Sequence, residues 1–116
     1  MKLPNAEHAI IEREKVADYL LNSGHPDNGG KAPFFVGYGF HPDAWDVFAG
    51  ALRSLAMTGE ITKSLDSPHG MKYILDGEIE TPAGRQASLR TIWILDAGSD
   101  APRLVTAYPH ENKPQS

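Results

Sequence analysis

The chain has 116 residues, 41% of them apolar and 22% charged, with no cysteine and a formal net charge of −4. That balance is the one expected of a single globular domain with one core, and a chain this long buries about two thirds of the surface its unfolded form exposes, so neither a disulfide nor a structural metal is required. The missing cysteine excludes a disulfide scaffold, a cysteine-ligated zinc or iron–sulfur site and a thiol nucleophile, and the acidic balance disfavours a broad electrostatic nucleic-acid binder.

Met1 to His8 lacks the apolar stretch of a signal peptide, and no run of about 18 apolar residues occurs anywhere. A cytoplasmic location with no membrane partner is expected. Ala6 to Ile11 enters as a short extended segment, after which Glu12 to Leu21 takes a helical spacing with Val16, Tyr19 and Leu20 on one face. Gly24 and Pro26 stop this first helix, and a long loop rich in turn residues follows through Gly30.

From Asp43 to Met57, Ala44, Val47, Phe48, Ala51, Leu52, Leu55 and Ala56 recur at three- and four-residue steps. A second, longer helix is predicted there, with Asp43 as its N-cap and Gly59 as its stop. Gly50 within it costs about 1 kcal/mol relative to Ala, which suggests a close approach of another element. After Asp66 to Gly70 the pattern changes to alternation, and strands are predicted over Met71–Thr81, Arg85–Leu95 and Arg103–Tyr108, with Glu60–Leu65 available as a fourth, edge strand. Thr81 to Gly84 reads as a tight hairpin turn with glycine where φ must be positive, and Ala97 to Pro102 as a looser one. Helices come first and strands follow, so the fold class is α+β: two N-terminal helices packed on one face of a three- to four-stranded antiparallel β-meander. One domain over 1–109 is expected, with 110–116 as a flexible tail.

No phosphate-binding glycine loop, HExxH pair, GxSxG elbow or EF-hand loop is present, so any chemistry must be assembled from separated segments. The segment from His25 to Lys31 sets an imidazole and an ammonium around Pro26, Asp27, Asn28, Gly29 and Gly30, and reads either as a source of a general base and a phosphate-binding cation or as a solvated surface turn. His8, His41, His69 and His110 show no pair at metal-ligand spacing, and neither a metal nor a cofactor is expected. Phe34, Phe35, Tyr38 and Phe40 suit core packing better than base stacking. Alternation puts Leu89, Thr91, Trp93 and Leu95 on one strand face against Arg90, Ile92 and Ile94, and Leu104, Thr106 and Tyr108 against Arg103, Val105 and Ala107. If helices cover the face of Ile92, Ile94 and Val105, then Thr91, Thr106 and Tyr108 lie on an open surface and offer hydroxyls to a phosphate.

Leu21-Asn22, His25-Pro26, Lys31-Ala32 with Phe34, then Thr91-Ile92-Trp93-Ile94 and Pro102-Arg103-Leu104-Val105-Thr106-Ala107-Tyr108-Pro109 together resemble a bacterial domain family of about this length that carries no assigned activity. The resemblance runs from Lys2 to Pro109. The layout is in turn similar to the barnase, EndoU, colicin-type and RelE-like ribonuclease toxin superfamily, whose members carry N-terminal helices before a four-stranded antiparallel sheet. That resemblance implies a metal-independent RNA endonuclease acting through the ribose 2′-hydroxyl, with RNA as substrate and a cognate antitoxin-like protein as partner. It implies His25 as base, Lys31 as the cation facing the phosphorane, and Thr106 and Tyr108, with Thr91, orienting the phosphate or protonating the leaving oxygen. The competing reading is a non-catalytic protein-binding module of a bacterial two-gene system, for which an acidic surface and a sheet edge able to accept a strand are suited.

Overall fold

The computed structural model describes residues 2–22 and 31–110. A 3-10 turn over Ala6–His8 leads to Ile10, which forms a parallel bridge with Arg103 through Ile10 N–H to Pro102 O (2.8 Å) and Leu104 N–H to Ile10 O (3.0 Å). A π-helix over Glu14–Leu20, helix α1 over Lys31–Gly37, a 3-10 turn over Pro42–Ala44 and helix α2 over Trp45–Thr58 follow. The strands are β1 Glu60–Ser67, β2 Gly70–Glu80, β3 Gln86–Asp96 and β4 Arg103–Pro109, all antiparallel in the order β1-β2-β3-β4. This is the α+β arrangement expected, with the fourth strand present.

Three local departures have physical causes. The first helix closes with π-type turns, Leu21 N–H reaching Val16 O at 2.9 Å, which lets Val16, Ala17, Leu20 and Leu21 all enter the core. Helix α1 lies where the sequence reads as loop and aromatic stretch; it is only seven residues long, and Pro33 is tolerated because first-turn N–H groups have no helical acceptor. Asp43 is not the N-cap of α2: Pro42 opens a 3-10 turn, and Ala44 stands at the cap position without a side-chain hydrogen bond.

The core sits between the helices and one sheet face. Phe48 of α2 meets Phe35 of α1 at 4.7 Å and Phe40 at 4.5 Å between ring centroids, and all three rings are almost fully buried. Each such side chain removed from water contributes about 1.5–3 kcal/mol. Opposite them the sheet presents Tyr73, Leu75, Leu89, Thr91, Trp93, Leu104 and Ala107. Helix α2 seats closely on β2, because a Cβ at Gly77 would fall 2.3 Å from Leu55 Cδ1. At Gly50 nothing lies within 4 Å of such a Cβ and the residue is exposed, so the expected close approach is absent. Gly50→Ala is therefore expected to raise stability by about 0.5–1 kcal/mol, the helix-propensity difference alone, measured as the shift of the urea unfolding midpoint.

A β-bulge in β4 decides which side chains face outward. Ile92 pairs with Thr106 but Trp93 pairs with Leu104, leaving Val105 as the extra residue. Leu104 and Ala107 can then both point into the core although they are three apart. Strict alternation through β4 fails at that point.

Candidate functional site

The helices cover the Thr91 and Trp93 face of the sheet, not the Ile92 and Ile94 face, so the expected open surface carrying Thr91 does not form. Thr91 is fully buried; its hydroxyl donates to Leu75 O at 3.2 Å and accepts from Trp93 Nε1 at 2.8 Å. Because of the bulge, Thr106 and Tyr108 lie on the opposite, outer face, in register with Ile92 and Arg90. His25 lies outside the described residues, and Lys31 is the first residue of α1.

The outer face groups Tyr108 with three residues that the sequence reading did not single out: Asp76, Arg90 and His110. Asp76 of β2, Arg90 of β3 and Tyr108 of β4 are direct cross-strand neighbours. Arg90 grips Asp76 with both prongs of its guanidinium, Nε to Oδ1 at 2.7 Å and Nη2 to Oδ2 at 2.8 Å. His110, expected to begin a loose tail, is instead tied to the end of the sheet by its backbone N–H, which donates to Ser88 O at 3.0 Å. Its Nε2 stands 3.3 Å from Arg90 Nη2 and 3.4 Å from Asp76 Oδ2. Asp76, Gly77, Glu78, Ser88, Leu89 and His110 line a shallow cavity of about 240 Å³.

The electrostatics follow from these contacts. The hydrogen bond from Arg90 holds the Asp76 carboxyl below its ordinary value against the opposing effect of burial, helped by the charges of Arg90 and His110. Arg90 is raised in turn, chiefly by its hydrogen bond to Asp76, with Tyr108 as a further hydrogen-bond partner. The Asp76 side chain is only 15% exposed and that of Arg90 30%. A carboxylate lowered in the folded state adds stability that is full above the ordinary value of 3.8 and fades as pH falls through the folded value. Asp76→Asn is thus expected to cost stability at pH 7 and progressively less below about pH 4 in urea titrations at several pH values; a pH-independent difference would contradict the linkage.

Chemically, one imidazole nitrogen has two partners of opposite kind. With Nε2 unprotonated it accepts from the Arg90 guanidinium, and once protonated it donates to the Asp76 carboxylate. This suits a group that takes up and returns a proton beside a fixed cation. Among the described residues no cluster of three or more His, Asp or Glu side chains is placed to hold a metal ion, and none of the described helices is long and apolar enough to cross a membrane.

Residues 2–111 match a domain of unknown function, DUF6883. No curated protein matches the chain significantly. In three dimensions the chain is similar to a chain of a contact-dependent growth inhibition toxin–immunity protein complex from Klebsiella pneumoniae 342, with a TM-score of 0.73 and 18% identity over 92% of this chain and 97% of that one. At that identity the likeness is one of fold.

Proposed function

The chain belongs to the DUF6883 family of domains of unknown function, and we propose that it is an RNA endonuclease of toxin type, cleaving without a metal through the ribose 2′-hydroxyl. The observation that carries this reading is the cluster of His110, Asp76, Arg90 and Tyr108 on the sheet face that none of the described helices covers, where Asp76 and His110 line the cavity. In the first step His110 Nε2 takes the 2′-hydroxyl proton, the O2′–P bond forms and the P–O5′ bond breaks. Arg90 faces the charge that grows on the non-bridging oxygens, and Asp76 stabilises the imidazolium. Tyr108 gives its proton to the leaving O5′; exchange with solvent then returns a proton to Tyr108 and removes the one on His110, and Thr106, one row along the same face, orients the phosphate. The products are a 2′,3′-cyclic phosphate and a 5′-hydroxyl.

The fold shared with a chain of a toxin–immunity complex supports a place in a toxin system. The test is incubation of the purified protein with end-labelled total and transfer RNA in excess EDTA. Fragments ending in a cyclic phosphate are expected; intact RNA from both pools overturns the reading. His25→Ala and Lys31→Ala belong in the same assay, because loss in these two with full retention in His110→Ala would return the chemistry to His25 and Lys31.

A second reading, an immunity-like binding module, is favoured by β1. That strand ends the sheet, most of its residues are exposed, and Leu65 is 41% accessible. An edge of this kind can accept a strand from a partner protein. Intact RNA together with protection from a co-expressed toxin would establish it.

A further inference from the structure

Beyond the reacting groups, the outer sheet face has an ordered charge pattern. Next to the row of Asp76, Arg90 and Tyr108 runs a row of Ile74, Ile92 and Thr106, and beyond it a row of Lys72, Ile94 and Arg103. Ile74 and Ile92 are half-buried on a face whose opposite side takes the helices. Lys63 of β1 stands beside Ile74. On the other side of the reacting row the sheet carries Glu78 and Glu80. Lys63, Lys72 and Arg103 therefore lie to one side of the cavity, with Asp96 beside Arg103, and Glu78 and Glu80 lie to the other, although the chain as a whole is acidic.

Resting on the ribonuclease reading, we propose that this face is a track for single-stranded RNA: the scissile phosphate sits at Arg90 and His110, an unpaired base lies on Ile74 and Ile92, and a flanking phosphate is taken by Lys72 and Arg103. Four residues along β3 separate the Arg90 row from the Ile94 row, about 13 Å at the strand rise. An extended single strand covers that distance in about two internucleotide steps, which leaves one nucleotide over the isoleucine row. A duplex does not fit this pattern, because its bases are stacked inside and present no free face to an apolar row. Arg103 has a carboxylate neighbour, Asp96, at 3.3–3.4 Å, but both side chains are more than a third exposed. Pairs of that kind hold weakly, so a phosphate can replace Asp96. The strand leaves the site toward the cationic rows because Glu78 and Glu80 repel it on the other side.

The experiment is fluorescence anisotropy with non-cleavable 2′-O-methyl RNA as a mononucleotide, a trinucleotide, a hexanucleotide and a paired duplex, run beside cleavage assays on unmodified RNA. The trinucleotide and hexanucleotide are expected to bind at least tenfold more tightly than the mononucleotide, and more tightly than the duplex. In Lys72→Ala and in Arg103→Ala the slope of log affinity against log salt is expected to shrink by about 0.7, the value for one lost single-strand phosphate contact. In cleavage these variants raise KM and leave kcat unchanged, whereas Glu80→Ala, a carboxylate outside the cavity lining, lowers KM. Equal affinity for mononucleotide and trinucleotide, preference for duplex, or an unaltered salt slope overturns the track. Binding with these signatures but without cleavage keeps the track and removes the ribonuclease reading. Cleavage indifferent to Lys72 and Arg103 does the reverse, and a protein that neither binds nor cleaves loses both.

Discussion

His110→Ala is expected to lower RNA cleavage by about 10²–10⁴-fold, the range for loss of a positioned proton-transfer group. The side chain is about one-third exposed and packs at the end of the sheet, so its removal takes little from the core. Thermal unfolding should therefore change far less than activity. Two further variants separate the roles around it. Arg90→Lys keeps a cation beside Asp76 but loses the two-pronged grip, and is expected to lower kcat with a smaller change in KM because its charge matters most as the phosphorane forms. Arg90→Ala is a poorer probe, since it leaves the mostly buried Asp76 carboxylate without its partner. Asp76→Asn keeps the shape while removing the charge that supports the imidazolium. Full activity in His110→Ala would remove this residue from the mechanism.

The elements of this site were legible in the sequence to different degrees. The hairpin turn at Thr81 to Gly84 is plain in the sequence, Gly84 adopting the positive φ of 82° expected there. Counted back from that four-residue turn, Asp76 would fall opposite Leu89; the connection is one residue longer, Glu80 pairing with Gln86, and this sets Asp76 opposite Arg90. His110 could not be reached by counting either, because a polar residue after a proline at the end of the last strand reads as tail. Thr91 was misplaced for a different reason. Both of its strand faces carry apolar residues, so alternation identifies two faces without saying which one the helices cover. Thr106 and Tyr108 reach the outer face through the Val105 bulge, one extra residue that leaves no periodic trace in seven positions. The α+β order and the long helix α2 were readable because a fourteen-residue amphipathic pattern averages over local exceptions. Helix α1, seven residues with Pro33 in its first turn, has no such length to average over.

Trp93→Ala is expected to have the largest effect on stability. The indole is completely buried at the centre of β3, and loss of an aromatic core side chain costs about 3–5 kcal/mol through lost transfer energy and the cavity left behind. Against a typical total of about 5–15 kcal/mol, that brings a domain of this size close to unfolding at ambient temperature. A double-mutant cycle shows how much of the effect belongs to the buried hydrogen-bond chain from Trp93 Nε1 through the Thr91 hydroxyl to Leu75 O. Thr91→Val preserves volume but leaves the indole N–H and the Leu75 carbonyl without that partner, at a cost of about 1–3 kcal/mol. In a Trp93→Phe background no indole N–H remains to be stranded, so the same substitution should cost less. A coupling of about 0.5–3 kcal/mol is expected, as for residues sharing one network, and is read from urea unfolding of the four proteins. Additive costs would mean that the hydrogen bond from Trp93 Nε1 to Thr91 adds nothing measurable, leaving to Thr91 its bond to Leu75 O and its packing. An unfolding curve for Thr91→Val matching the parent, with cleavage lost, would instead return this threonine to the catalytic set from which its burial removes it.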